Sequence, residues 1–205
     1  MKWLLVLLIC GTAHAGPDNS TLVYVGLGEA PIDYLAGVAL HEGSHALAAK
    51  LVGADVDELH VFPPGIDPHA NVFRFGWTYV HGLQSDADRV TFLIAPKITD
   101  VVLLGGFAAL VFAGGWPDNK YGQLTLTVAA TGLWVDFAKD VILFRPQNDV
   151  SKIFKLWSIE GWKQIPARLA YAAMDVGLGY VVYRGYRRLF DKQDPMTVPL
   201  VHLTF

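Results

Sequence analysis

The chain has 205 residues, 53% hydrophobic and only 17% charged, with a formal net charge of −3. That is more apolar and less charged than an ordinary soluble domain, and the slight negative balance argues against nucleic acid as a partner. The length suits one domain, and the single cysteine, Cys10, excludes a structural disulfide within the chain.

Residues 1–15 read as a secretory signal peptide. Lys2 supplies the positive start, Trp3 to Cys10 a short apolar run, and Ala13-His14-Ala15 a small-x-small cleavage site. The rest, 16–205, reads as a single domain with its core at 31–155. A mixed lead-in occupies 16–29. Pro31 to Val52 then reads as one helix, with Pro31 in its first turn and Gly53 as its stop. At about 1.5 Å per residue it is roughly 33 Å long, the depth of a bilayer core. It is apolar nearly all round except at Asp33, His41, Glu42, Ser44, His45 and Lys50.

Asp55 to Gly82 alternates β-branched and aromatic residues around Pro63-Pro64-Gly65, which predicts a β-hairpin or small sheet. A polar link at 83–89 leads to a second apolar stretch, Val90 to Gly114, interrupted by Lys97 and Asp100. The turn Gly115 to Asn119 precedes a third stretch, Tyr121 to Phe144, which contains Asp136, Lys139 and Asp140. A fourth, Ile165 to Tyr183, contains Arg168 and Asp175 and reads either as a span or as an interfacial helix. The tail from Asp191 reads as irregular.

His41-Glu42-Gly43-Ser44-His45 is HExxH. On a helix, residues four apart share a face, so His41 and His45 can bind one zinc ion while Glu42 takes a proton from its water. The ligand types point to zinc. A pair of histidines satisfied by hydrogen bonds between helices is the simpler reading, but two imidazoles and a carboxylate are costly in an apolar helix without a function. A catalytic zinc commonly has a third protein ligand. If the apolar stretches cross a membrane in turn, the end that carries the histidines also carries Asp100, Asp136, Asp140 and Asp149. Lys50, Arg145, Lys152 and Lys155 fall on the same side, as a cytoplasmic face would. Arg184, Arg187 and Arg188 fit that side only if the fourth stretch does not cross. Among the other histidines, His60, His69 and His81 fall in the hairpin region and read as surface residues, and His202 lies in the tail. Glu160, beside Trp157 and Trp162, reads as an interfacial residue more readily than as a downstream ligand.

The run His41 to Ala49, followed by Gly53 and a β-hairpin, resembles the site-2 protease family of intramembrane metalloproteases. Pro146-Gln147-Asn148-Asp149-Val150 is similar to that family's second motif, although Val150 stands where the family has Gly. Ile94-Ala95-Pro96 is similar to its Ala-Gly-Pro segment. The resemblance implies Asp149 as the third metal ligand, with Asp140 as the fallback. It implies a mainly α, membrane-embedded helical bundle of three to four spans, with a small β-hairpin after the metal-binding helix.

The expected activity is intramembrane zinc metalloendopeptidase, with Glu42 as general base, acting on a membrane protein or peptide in or near a transmembrane segment. The lipid bilayer is the expected surroundings, reached through the signal sequence. An exposed strand edge of the hairpin is expected to hold the substrate as an added strand, with Phe75 at an edge position. Two alternatives remain: a catalytically inactive membrane scaffold or regulator of the same fold, and a soluble secreted zincin whose apolar stretches are core helices.

Overall fold

The computed structural model describes residues 17–142 and 148–190. The signal-peptide reading, Cys10, Pro146, Gln147 and His202 lie outside the described residues.

Helix α1 spans Asn19–Leu51 and is 12 residues longer at its start than the sequence suggests. Asp18 caps it, its Oδ1 accepting from the Thr21 amide at 2.7 Å. Leu22 anchors the added turns, buried with Leu124 and Leu189. The two glycines at 26 and 28 and Pro31 disguise this segment as a lead-in. Pro31 sits inside the helix, where it removes one amide donor without ending it. The other end is as expected: Val52 closes the last turn and Gly53 takes a φ of 80°, a conformation that favours glycine.

Four short strands follow: β1 (Asp55–His60), β2 (Gly65–Asp67), β3 (Val72–Arg74) and β4 (Trp77–His81). β1 pairs antiparallel with β4, with a bulge between Val56 and Glu58, and β2 pairs antiparallel with β3. The second hairpin is thus an extension of the first, and each sheet has two strands. Phe75, expected on a strand edge, lies instead in the link between β3 and β4. Its ring packs edge-on against Tyr34 of α1, with centroids 5.1 Å apart.

Helix α2 (Asp86–Ala113) begins at a capping box, in which Ser85 and Asp88 satisfy each other's amides. Then come α3 (Lys120–Ile142), the short α4 (Asp149–Leu156), a 3-10 turn at Gly161–Lys163, and α5 (Gln164–Phe190). Asn148, not Asp149, is the cap of α4: its Oδ1 accepts from the Ser151 amide at 2.7 Å. That leaves the Asp149 carboxylate, on the first helical residue, directed elsewhere.

The long helices pack side by side. Leu104, Phe107, Val111, Ala130 and Val182 form the core where α2, α3 and α5 meet. α5 runs antiparallel to α3 along its length: Tyr171 reaches Phe137, Trp134 reaches Asp175, and Thr131 reaches Tyr186. Leu189 ends beside Leu22. Arg184, Arg187 and Arg188 therefore lie at the end of the bundle opposite the HExxH histidines. The chain is mainly helical with a small pair of two-stranded sheets. Among the described residues only α2 is long and apolar enough to cross a membrane.

Candidate metal centre

His41 and His45 lie one turn apart on α1, with ring centroids separated by 5.1 Å. Their Nε2 atoms face the same oxygen, Asp149 Oδ2, at 3.5 Å and 3.1 Å. One ligand atom from each of these three residues lies within 4.8 Å of the others. Asp149 comes from α4 and is aimed by Lys152, whose Nζ donates to Oδ1 at 3.0 Å. One oxygen is held by a lysine and the other is turned to the imidazoles.

The far side of each ring is also engaged. His41 Nδ1 donates to Asp136 Oδ2 at 3.0 Å, and His45 Nδ1 donates to the Phe92 carbonyl at 2.7 Å. A carboxylate and a carbonyl oxygen only accept, so each Nδ1 carries its hydrogen; each Nε2 also faces a carboxylate oxygen and would present a lone pair to a metal once it carries no hydrogen of its own. This is the support that metal-ligating histidines ordinarily have. The Phe92 ring stacks on His45 with centroids 4.5 Å apart. Two imidazole nitrogens and one carboxylate oxygen, converging with both rings held from behind, fit a zinc ion with an open fourth position.

Glu42 is beside them, and the hairpin holds it. Thr78 Oγ1 on β4 lies 2.8 Å from Glu42 Oε2 and 3.1 Å from the Glu42 carbonyl, and donates its hydrogen to Glu42. The approach is close at Gly76. A Cβ there would come within 2.8 Å of Glu42 Cγ and of Val38 Cγ1, and within 2.9 Å of the His60 carbonyl. Only glycine lets the chain pass so near α1.

The β2–β3 extension is fixed by Asp67, a fully buried carboxylate. It accepts from the Tyr79 hydroxyl at 2.5 Å and from the His69 and Ala70 amides, and pairs with Arg74 Nε at 3.1 Å. Burial alone would raise the Asp67 pKa, but these donors outweigh it and bring it below the ordinary value. Burial and the facing carboxylate push the Tyr79 phenol up to about 12.

Two cavities open on this centre. A groove of about 960 Å³, lined mostly by apolar side chains of α1, α3 and the β3–β4 link, reaches His41 and Glu42. A smaller polar one of about 180 Å³ is lined by His41, Glu42, His45, Asp149, Thr78 and their neighbours.

Asp149, His41 and His45 thus converge with Glu42 beside them; Asp140 lines the same cavities but is not one of the converging group. Asp140 is buried with its Oδ2 3.2 Å from Lys97 Nζ. Asp136 lies on the Nδ1 side of His41 rather than beside Nε2. Asp100 faces the same lysine at 3.3 Å. His60, His69 and His81 are occupied within the hairpin region: His60 stacks on Trp77, His69 lies 3.7 Å from Glu58, and His81 pairs with Asp57. Glu160 precedes the 3-10 turn and is not among the converging residues. Sequence reasoning missed Thr78, the Phe92 carbonyl and Lys97. The one visible signal was Lys97 itself, a charge inside an apolar stretch.

No family model matches the chain, and no curated protein or solved structure matches it.

Proposed function

We propose that this chain is a membrane-associated zinc metalloendopeptidase of the site-2 protease type. In this reading His41, His45 and Asp149 hold the metal and Glu42 is the general base. The observation that carries it is the convergence of both Nε2 atoms on Asp149 Oδ2 while both Nδ1 atoms are engaged behind. Glu42 faces the same space at the mouth of a long apolar groove.

A zinc ion bound there would acidify a water molecule and polarise a peptide carbonyl. Glu42, held by Thr78, takes the water proton as oxygen attacks the carbonyl carbon. It then delivers that proton to the departing amide nitrogen as the C–N bond breaks, so that acid and amine products balance. The groove suits an apolar peptide segment, which must be extended at the cut for its carbonyl to reach the metal. Segments containing glycine or other weak helix formers are the expected substrates.

Support for a lipid setting comes from the outward faces of the helices. Leu27, Ile32, Leu47, Val102, Leu169 and Val176 are exposed along α1, α2 and α5, while Lys97, Asp100, Asp140 and His45 are buried. Apolar outside and charged inside is the pattern of a protein in lipid.

The test is metal content per chain, in mild detergent, followed by cleavage of apolar-segment substrates. About one zinc is expected in wild type, with loss in His41→Ala and Asp149→Ala and retention in Asp140→Ala. Glu42→Gln should keep the metal and lose about 10²- to 10⁴-fold in rate. Metal bound without any Glu42-dependent cleavage would leave a scaffold; a metal-free wild type would leave His41 and His45 as structural residues.

A further inference from the structure

Lys97 is a buried lysine, 4% exposed, within the most apolar helix of the fold. Its Nζ lies 2.7 Å from Asp136 Oδ2, 2.7 Å from the Asp136 carbonyl, 3.2 Å from Asp140 Oδ2 and 3.3 Å from Asp100 Oδ2. One ammonium group facing three carboxylates in a helix interior is a poor way to gain stability. Desolvating such groups costs several kcal/mol each, by order of magnitude, and apolar packing of the same volume does as well or better. The arrangement calls for a role besides holding α2 to α3.

The oxygen that Lys97 grips supplies the role. Asp136 Oδ2 is the atom that accepts from His41 Nδ1, at 3.0 Å. Lys139 takes the other oxygen of Asp136, so neither carboxylate oxygen is free to turn. Asp100 takes a third hydrogen bond from the ammonium group, and Asp140 Oδ2 lies beside it as an ion pair without one. The chain of contact runs from Asp100 and Asp140 through Lys97 to Asp136 and then to His41. His45 has no such dependence, because a backbone carbonyl orients it.

We propose that Lys97 is a positioning residue for the metal centre, fixing Asp136 and through it the imidazole of His41. This inference rests on the metal-site reading above. It assigns to a charge cluster outside the three ligands the setting of the His41 ring plane and tautomer, and it makes the site's metal affinity depend on a lysine that touches none of the ligands.

The experiment is competition for zinc between a graded series of chelators and the detergent-purified full chain. It is run on wild type, Asp136→Asn, Asp136→Glu, Lys97→Met and the double variant Lys97→Met/Asp136→Asn, with thermal unfolding and the visible spectrum of the cobalt-substituted protein recorded for each. Asp136→Asn and Lys97→Met are each expected to weaken zinc binding about 10- to 100-fold. The double variant should be no weaker than the more affected single, since Lys97 acts through Asp136. Asp136→Glu keeps the negative charge that Lys97 needs but moves the carboxylate by one methylene. It should unfold like wild type, bind zinc as weakly as Asp136→Asn and shift the cobalt spectrum, and it also serves if Lys97→Met does not fold. Wild-type affinity in Asp136→Glu, or additive losses in the double variant, would show that the cluster is only a helix clamp. A wild type that binds no zinc overturns the metal-site reading and this inference together; zinc in wild type with unaltered variants overturns this inference alone.

Discussion

Two residues four apart on a helix announce themselves, but what holds them does not. His41, Glu42 and His45 are legible because helical spacing alone puts the imidazoles on one face. Asp149 is legible only through the likeness of its surrounding motif. Thr78 and the Phe92 carbonyl are invisible in the sequence, and Asp136 is visible only as one of several carboxylates at the histidine end, because each reaches α1 from 36 to 95 positions away. Thr78 carries a prediction of its own. If Glu42 is the general base proposed above, it works only while aimed, and the Thr78 hydroxyl is the donor that the hairpin supplies to it. Thr78→Val removes a hydrogen bond worth about 0.5–1.5 kcal/mol, so kcat should fall about 3- to 10-fold. Zinc content should stay at the wild-type level, and Thr78→Ser should restore most of the rate. A loss of zinc, or a rate unchanged from wild type, would show that the hairpin does not aim Glu42.

Among the elements, the hairpin is legible in kind from the sequence, whereas helix α1 starts 12 residues before the point the sequence suggests. The alternation of Val, Phe, Trp and Tyr around a Pro/Gly turn survives folding because β1–β4 pairing needs little beyond that pattern. The start of α1 was hidden because glycine and proline lower helix propensity locally, whereas Leu22 is secured by packing against α3 and α5, which no local rule contains. The β2–β3 extension has a pH dependence that follows from Asp67. Its folded pKa lies below the ordinary 3.8, so its ionised form contributes stability above that value and loses it as pH falls through the lower folded value. Tyr79 is the reverse case. Its pKa is raised from 10.0 to about 12, so its contribution is complete below 10.0 and disappears as pH rises through about 12. The protection of the β2 and β3 amides, taken as exchange relative to its intrinsic rate at each pH, should therefore be greatest between these limits and fall on both sides. In Asp67→Asn the acid limb should vanish and exchange should be faster at neutral pH. An acid limb that persists in that variant would place its origin outside the Asp67 cluster.

At the scale of the molecule, the burial pattern and the span test give different answers, and the difference can be measured. By length and composition only α2 qualifies as a span among the described residues, because Asp136, Lys139 and Asp140 in α3 and the polar residues of α1 lower their mean hydropathy. Yet the two carboxylates of α3 do not face outward, although Lys139 and Lys50 do. Asp140 is buried, Asp136 is engaged by His41 and Lys97, and the outward surface of α1 is apolar at Tyr24, Leu27, Ile32 and Leu47. A water-soluble domain of this size rarely leaves such a surface bare, whereas a protein that builds a polar site inside a lipid-facing bundle must. Hydropathy averaged along a helix cannot see this, since it counts a charge the same whichever way it points. The expectation is that the chain stays in the membrane pellet through high salt and alkaline carbonate and enters solution only with detergent. On the proposed metal-site reading, detergent extraction should leave zinc content unchanged, because His41, His45 and Asp149 are held from within by Asp136, the Phe92 carbonyl and Lys152 and not by lipid. Release by carbonate alone, with zinc retained, would place the same metal centre in a peripheral zincin and make the apolar faces contact surfaces for protein instead of lipid.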